Sequence, residues 1–370
     1  MRKLIAVSLL ALATCAFAST GEVTLSGSTW TGKVDGTTKY TGSDMFAACN
    51  ACINAMTSGG TVNLRNSGNS GSSGGVNKAI LLDDNITFNG NNCTVNINSG
   101  DQNIISFWAT GKNNVGVSNV KITSSSGQDR YGVWFRGCTG QNLQNSSAAN
   151  VDNGCFRSDN STGPTGNITV GTLTGTASAS ARESHALKTD NQSGYQRVTT
   201  INGTDLGGCG LMWNTEPSSV SSTCTTVNGT RCGVGQGYAA FRVANSNGKA
   251  SVGTVNSSGS CHGFFSCSGS YGTTITTLNV SGSTSQGCLL QTCNNTTING
   301  GYIHGSSGGN PLRIAATALH NVVNGIDFTG SGVAVLETSG GDYNTIENCK
   351  LHGMTISLSG AHSTSVNNTP

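Results

Sequence analysis

The feature that most constrains this sequence is a four-residue motif that recurs along most of the chain. The motif, here called the line, reads as a short β-strand and is apolar around its third position. Its fourth position is often long and polar or cationic, as at Arg136, Arg157, Lys188 and Arg242. The apolar third position falls successively at Phe107, Phe135, Phe156, Leu187, Met212, Phe241, Phe265, Leu290, Leu312, Val335 and Ile356. A self-similar period of roughly 20–30 residues is typical of stacked repeat architectures. The chain is therefore predicted to be a solenoid.

A second strand-like segment follows each line after a few residues. Residues 115–122, 168–173 and 250–255 are examples, and Gly, Asn and Ser lie between the segments as turn formers. Because no helical pattern separates the strands, alternating β and α units are excluded, and each repeat is expected to stack on the previous one. The sequence predicts an all-β fold for 78–370, a single-stranded parallel β-helix of about eleven coils.

Residues 19–77 are predicted to form an N-terminal segment with a capping helix. After a polar stretch, Ser43 or Asp44 is suited to cap the N-terminus of a helix. Apolar residues then recur with helical spacing over 45–56, and a Gly-Gly pair precedes a strand at 61–64. An amphipathic helix ahead of a long β array is suited to cover the open end of its core.

The stretch 41–64, TGSDMFAACNACINAMTSGGTVNL, resembles the helix and following GGTV strand that open the pectate-lyase-like right-handed parallel β-helix superfamily. The resemblance implies a right-handed parallel β-helix. It also implies a carbohydrate-active role, since that superfamily is rich in polysaccharide lyases, glycoside hydrolases and uronate epimerases that bind substrate along one parallel sheet. One fold hosts many chemistries, so the resemblance does not select a reaction.

The chain departs from the hydrolase motifs of this superfamily. Polygalacturonase-type enzymes carry paired aspartates, then Gly-His-Gly, then Arg-Ile-Lys. This chain has single aspartates at Asp190 and Asp205, a Cys-His-Gly at His262 and an Arg-Ile-Ala at Arg313. The second carboxylate and the lysine are missing, and so is the Arg-x-Pro-Arg signature of well-known pectate lyases.

Residues 1–18 have the pattern of a secretory signal peptide: Arg2-Lys3, an apolar run and a small-residue cleavage site. The run is too short for a lasting membrane anchor, so the protein is predicted to be secreted and extracellular, without membrane association.

A net charge of only +2 disfavours nucleic acid as a partner. A capped solenoid with a polar outer face requires no partner subunit, and a monomer is expected.

The cysteine content also fits secretion. The chain has 14 cysteines, and in an oxidising compartment most of them should pair. The spacing predicts disulfides between Cys224 and Cys232, between Cys267 and Cys293, and between Cys261 and Cys288. Cys49 and Cys52 lie on the apolar face of the predicted helix, where burial is expected.

Strand alternation indicates a candidate site. If the third position of the line faces the core, the second, fourth and sixth positions face solvent. The outward residues then include Trp134, Arg136, Arg157, Lys188, Trp213, Arg242, Gln291 and Arg313, with Asp159 and Asp190 at sixth positions. Equivalent residues of stacked coils lie about 4.8 Å apart. The resulting row suits an extended acidic polysaccharide, because Arg binds carboxylates bidentately. The alternative is a solvated face in which the aspartates pair with the cations.

The predicted reaction is β-elimination in a uronate-containing, pectate-like polysaccharide. The uronate carboxylate must be neutralised by Arg and Lys, or by a Ca²⁺ ion held by Asp159 and Asp190. Lys188 is the predicted base, because like-charged neighbours favour its neutral form, and Arg242 would polarise the carboxylate. His185 is the other candidate base or acid, although its inward position also fits a buried structural histidine.

Two other functional classes remain open at this point. One is a glycoside hydrolase of cell-wall polysaccharide using Asp159 and Asp190, whose backbones would be roughly 5 Å apart on adjacent coils. The other is a non-catalytic β-helix that binds glycans. A lyase leaves an unsaturated uronate that absorbs in the ultraviolet, a hydrolase makes reducing ends without that absorbance, and a binding protein makes neither.

Overall fold

The computed structural model describes residues 18–70, 79–97, 105–124, 131–151, 154–159, 166–177 and 183–370. The predicted signal segment up to residue 17 lies outside this range. Within the described residues the chain is almost entirely β-strand, with one helix. Strands of successive coils pair in parallel, which confirms the predicted parallel β-helix with its N-terminal helix.

Three antiparallel strands and the helix precede the coils. The strands β1 (Ser19–Ser26), β2 (Thr29–Val34) and β3 (Thr37–Gly42) pair in sequence order, where the sequence indicated only a polar segment. The turn between β2 and β3 is Asp35-Gly36, both at positive φ, a combination typical of tight hairpins. β1 also pairs in parallel with the first coil.

The helix α1 (Met45–Ala55) covers the N-terminal end of the core, as predicted. Asp44 caps it, since its carboxylate accepts a hydrogen bond from the Ala47 amide at 3.1 Å. Its apolar face, including Phe46, Cys49 and Ile53, is buried in the same core as the coils.

One face of the β-helix is a sheet of 12 strands, here called the front sheet. Its strands are Ile80–Leu81, Ile105–Thr110, Tyr131–Arg136, Gly154–Asp159, Leu187–Asp190, Leu211–Asn214, Ala239–Ala244, His262–Cys267, Cys288–Gln291, Leu312–Ala315, Val333–Glu337 and Thr355–Ser357.

The other faces belong to one 22-stranded sheet, the back sheet, which also contains β1–β3. Its coil strands are Gly60–Leu64, Gly68–Asn69, Ile86–Asn89, Thr94–Ile97, Gly116–Ser118, Lys121–Ser124, Gln141–Gln144, Ser146–Ala149, Ile168–Thr176, Gln196–Thr204, Ser221–Thr230, Lys249–Ser258, Thr274–Ser281, Thr297–Ile298, Gly301–His304, Val322–Asn324, Ile326–Thr329, Thr345–Glu347 and Thr364–Val366. A small third sheet pairs Ser270–Tyr271 with Cys293–Asn294.

The core is a stack of apolar side chains in register between coils. On the front sheet the inward column contains Phe107, Val133, Phe156, Leu187, Leu211, Phe241 and Phe264, all fully buried. The rings of Phe241 and Phe264 stack with centroids 5.3 Å apart. Burial of each such side chain stabilises the fold by about 1.5–3 kcal/mol, so the column holds successive coils together.

Two strands are displaced by one residue from the predicted alignment. Leu211, and not Met212, pairs with Phe241, so Trp213 faces inward and is fully buried. Likewise Phe264, and not Phe265, is the inward residue of its strand. A shift of one residue turns every side chain to the opposite face. The prediction of an outward, substrate-stacking Trp213 is therefore wrong, because adjacent large apolar residues left its direction undetermined.

Candidate functional site

The outer face of the front sheet carries two rows of register-matched side chains. The front row contains Leu81, Trp108, Trp134, Arg157, Lys188, Met212, Arg242, Phe265, Leu289, Arg313 and Leu336. The second row, two residues further along each strand, contains Thr110, Arg136, Asp159, Asp190, Asn214, Ala244 and Cys267. Trp134 thus occupies the front-row position predicted for Arg136, which lies beside Asp159 instead.

Arg157 and Lys188 share the two carboxylates of the second row. Arg157 Nε lies 3.0 Å from Asp159 Oδ2, and Arg157 Nη2 lies 3.5 Å from Asp190 Oδ2. Lys188 Nζ lies 3.6 Å from the same Asp190 oxygen. The Asp159 side chain is only 4% exposed and that of Arg157 is 24% exposed. These groups form a half-buried ion-pair network in which each charge has an opposite neighbour, as buried ions require.

Neutral donors and aromatic rings complete this network. The Trp134 indole N–H donates to Asp159 Oδ2 at 2.7 Å, and Asn214 Nδ2 donates to Asp190 Oδ1 at 2.6 Å. Arg157 Nη1 donates to the Tyr131 hydroxyl at 3.1 Å, and its guanidinium carbon lies 5.2 Å from the Trp134 ring centroid. The Arg157 side chain is held in place from several sides, which suits it to present a fixed positive charge.

The two aspartates do not fit the predicted Ca²⁺ site. Ca²⁺ takes several oxygen ligands, whereas the groups facing Asp159 and Asp190 are N–H donors and the cations Arg157 and Lys188. In the described part of the chain, no group of three or more His, Cys, Asp or Glu is placed to hold a metal ion.

Arg242 lies in a different environment on the same row. Its guanidinium carbon is 4.9 Å from the ring centroids of both Tyr238 and Phe265, and its Nε and Nη2 donate to Cys267 Sγ at 3.4 and 3.3 Å. These neighbours belong to a small apolar cluster on the outer face of the sheet, with Cys209, Met212, Ala239 and Ala244. Among the described residues, no carboxylate oxygen lies within 4.0 Å of the Arg242 guanidinium nitrogens.

His185 is buried behind this aromatic cluster. Its Nδ1 accepts a hydrogen bond from the Cys209 amide at 2.8 Å, and its ring meets the edge of Tyr238 with centroids 5.4 Å apart. Burial, together with the charges of Lys188 and Arg242, holds the pKa of His185 well below 6.5. The imidazole is neutral near pH 7 and only 1% exposed, so His185 cannot contact a substrate as a catalytic base. It is a positioning residue for Tyr238.

Glu216 is a buried carboxylic acid beneath the second row. Gln196 Nε2 donates to its Oε1, and the hydroxyl of Ser222 donates to its Oε2 at 2.8 Å. Burial raises the pKa of Glu216 to about 7, and the nearby charge of Asp190 acts in the same direction. None of its hydrogen-bonding neighbours is a cation. With a pKa near 7, the Glu216 carboxyl is partly protonated at neutral pH.

The other predicted substrate-binding residues lie at separate places. Arg313 is on the front row three register steps beyond Arg242, and no described carboxylate pairs with it. Gln291 is exposed and lies two residues beyond the front-row Leu289. Both face outward as predicted, on the C-terminal side of Arg242.

Sequence reasoning missed Tyr131, Tyr238 and Glu216. Tyr131 begins a front strand, and Tyr238 directly precedes one. Tyr238 also lies four residues before Arg242, a spacing that places both side chains on one face of an extended chain. That signal was available in the sequence. Glu216 lies in a turn after the front strand Leu211–Asn214, and nothing in its local pattern distinguishes it from an exposed turn residue.

The cysteines do not pair as the sequence predicted. The 13 cysteines of the described residues are all free thiols, and 12 of them are buried. Cys224 and Cys232, predicted to close a loop, each lie in the main core. Small buried thiols fit the inward columns as apolar residues do. Among the described residues, no helix has the length and hydrophobicity needed to cross a bilayer.

Comparison with known proteins returns similarities of fold only. No protein-family model matches the sequence, and no curated protein sequence matches it. Among solved structures, the A-modules of mannuronan C-5 epimerases AlgE6 and AlgE4 of Azotobacter vinelandii are 14% and 13% identical. Their TM-scores are 0.43 and 0.45, over 89% and 87% of this chain and 96% of each module. The adhesin PfbA of Streptococcus pneumoniae is 9% identical, with a TM-score of 0.35 over 87% of this chain and 96% of that chain. At these values the likeness carries no functional argument, and function must be argued from the side chains of the front sheet.

Proposed function

We propose that the protein is a secreted polysaccharide lyase that cleaves a uronate-containing polysaccharide by β-elimination. The observation that carries the proposal is Arg242, a half-buried cation with no carboxylate partner among the described residues. A buried charge without a counter-ion is costly, whereas the neighbouring Arg157 has two carboxylates. A substrate carboxylate would supply the missing counter-ion, and the open row along the β-helix axis suits an extended chain.

The front row and Tyr238 supply the groups that β-elimination needs. Arg242 would bind the uronate carboxylate and stabilise the charge that develops there as the C5 proton leaves. Lys188, two register steps away and thus about 10 Å distant between backbones, is the proposed base and would accept that proton on Nζ. The electron pair of the broken C5–H bond forms the C4–C5 double bond while the C4–O4 bond breaks.

The leaving oxygen needs a proton, and Tyr238, whose hydroxyl donates to Glu183 Oε1 at 3.3 Å, is the proposed donor. Burial raises the pKa of Tyr238, so its phenol is protonated at neutral pH. His185 supports the Tyr238 ring from behind. Lys188 removes one proton from C5 and Tyr238 gives one to O4, so each cleavage yields one unsaturated uronate and one new chain end.

The hydrolase alternative is less well supported by the geometry. A glycosidase needs one carboxyl group that donates a proton and a second that attacks the sugar or activates water. Asp159 and Asp190 instead accept hydrogen bonds from Trp134 and Asn214 and pair with Arg157. Their oxygens are occupied by protein groups.

The test is the ultraviolet absorbance of unsaturated uronate after incubation with polygalacturonate, alginate, glucuronan and polysaccharides that mix uronates with neutral sugars. We expect a rise with at least one of them and at least a 100-fold lower rate for Lys188→Gln. Lys249→Gln, which changes an exposed lysine of the back sheet, is the matched control. Release of reducing ends without absorbance would replace the lyase by a hydrolase, and no product from any polymer would contradict both.

A further inference from the structure

A cavity of about 480 Å³ lies at the N-terminal end of the front row. Its size is within the range of roughly 300–1,000 Å³ that is typical of small-molecule sites. The lining residues come from the end of helix α1, from the first front strand and from the second: Asn54, Leu81, Leu82, Asp83, Trp108, Thr110 and Lys112.

The floor of the cavity is aromatic and apolar. Trp108 stacks on Trp134 of the next coil, with ring centroids 6.3 Å apart and planes inclined by 15°. Leu81, one register step in the other direction, is 53% exposed and extends the apolar surface. The buried Trp108 indole N–H has no acceptor among the described residues. A flat aromatic and apolar floor suits the face of a pyranose ring.

The charges around the cavity differ from those around Arg242. Lys112 Nζ lies 2.6 Å from Asp83 Oδ1 and 4.0 Å from Asp84 Oδ2. The one cation among the described lining residues is thus already balanced by two carboxylates. A further carboxylate brought by a ligand would meet repulsion here, whereas neutral hydroxyl groups could bond to Asp83, Asn54 and Lys112.

We propose that this cavity binds a neutral pyranose residue, with its ring face on Trp108. If the proposed function holds, the substrate lies along the front row and contains neutral sugars as well as uronates. Its uronate would lie against Arg242 and its neutral residue against Trp108. The register places Trp108 four steps from Met212 and five from Arg242, about 24 Å by strand spacing, so the bound segment would span several sugar residues.

The test is calorimetric titration of the whole protein with neutral β-1,4-linked hexasaccharides of glucose, xylose, mannose and galactose. We expect at least one to bind, with at least fivefold weaker binding for Trp108→Ala, since loss of an aromatic stacking contact costs about 1 kcal/mol or more. Trp108→Phe should restore most of the affinity, because it keeps an aromatic face. Leu81→Ser, at an exposed position, weakens binding without a risk to folding.

Tyr302→Ala is the control, since Tyr302 is an exposed aromatic residue on the back sheet. If none of the four hexasaccharides binds, or if Trp108→Ala and Leu81→Ser bind as tightly as the wild type, the inference is overturned. If Trp108-dependent binding is present but no polymer yields an unsaturated product, the cavity assignment stands and the proposed lyase function fails.

Discussion

The guanidinium carbon of Arg242 lies 4.9 Å from the centre of the Tyr238 ring, four residues earlier in the chain. This contact joins the cation that lacks a described carboxylate partner to the phenol that is best placed as an acid. The ring holds the guanidinium through a cation–π contact, which is stronger where water is excluded. The proposed anion site and the proposed proton donor are therefore one structural unit.

Replacement of Arg242 by Met should remove the carboxylate site while keeping much of the packing between Tyr238 and Phe265. Loss of one partner of a buried charged contact costs about 2–5 kcal/mol, so we expect at least a 30-fold fall in kcat/KM on the active polymer. Arg231→Met is the matched control, because Arg231 forms an exposed ion pair with Asp205. Equal activity of Arg242→Met and wild type would show that the anion binds elsewhere.

Replacement of Asp159 by Ala should lower the free energy of unfolding. Arg157 loses its closest carboxylate and the Trp134 N–H loses its acceptor, and an unsatisfied buried group costs about 1–3 kcal/mol. Asp205→Ala breaks only the exposed pair with Arg231 and should cost less than about 1 kcal/mol. Urea denaturation compares the two. A stability loss no larger than that of Asp205→Ala would argue that Asp159 is not a structural ion-pair partner.

Glu216 should make the protein less stable as the pH rises. Its pKa is about 7 in the folded chain and about 4.3 in an unfolded one, so between these values the folded state holds a proton that the unfolded state has lost. The stabilisation is complete below about pH 4 and is lost as the pH rises to 7, a change on the order of 3 kcal/mol. Glu216→Gln should remove this slope in urea unfolding measured from pH 4 to 8. An unchanged slope would contradict the assignment.

His185 should have the opposite effect at low pH. Its pKa is depressed in the folded state, so its contribution is complete above the unfolded value of about 6.5 and is lost as the pH falls below it. His185→Asn keeps an acceptor for the Cys209 amide but cannot titrate, and its stability should fall less between pH 7 and 5. His320→Asn, at an exposed histidine whose positive φ suits Asn, is the control and should behave as the wild type.

The architecture could be predicted from the sequence because it depends on a repeated local pattern. Phe107, Phe156 and Phe241 recur at the spacing of one coil, and each must be buried for the coils to stack. The capping helix was predictable for a similar reason, since Asp44 and the apolar spacing after it are local signals. Hydrophobic periodicity is read directly from the chain.

Which side chains line the site depended on the register between neighbouring front strands. The repeat pattern does not determine that register where two large apolar residues are adjacent. Trp213 turned inward and Met212 outward, because Leu211 fills the inward column between Leu187 and Phe241. Trp134 took the front-row place predicted for Arg136 because its strand is displaced by two residues, a shift that leaves both side chains on the outer face.

By itself, the sequence determined that this chain is a capped β-helix with Arg157, Lys188 and Arg242 on one outer row, because strand alternation and repeat spacing are local properties. Only the tertiary structure decided which cations are neutralised. Asp159 and Asp190 lie two residues beyond Arg157 and Lys188 on the same strands, and Asp190 also reaches Arg157 on the preceding coil. Tyr238, Phe265 and Cys267 surround Arg242 instead. The pairs within a strand follow from strand alternation, whereas the contact of Arg157 with Asp190 and the packing of Phe265 and Cys267 on Arg242 join different coils and depend on the register of the solenoid.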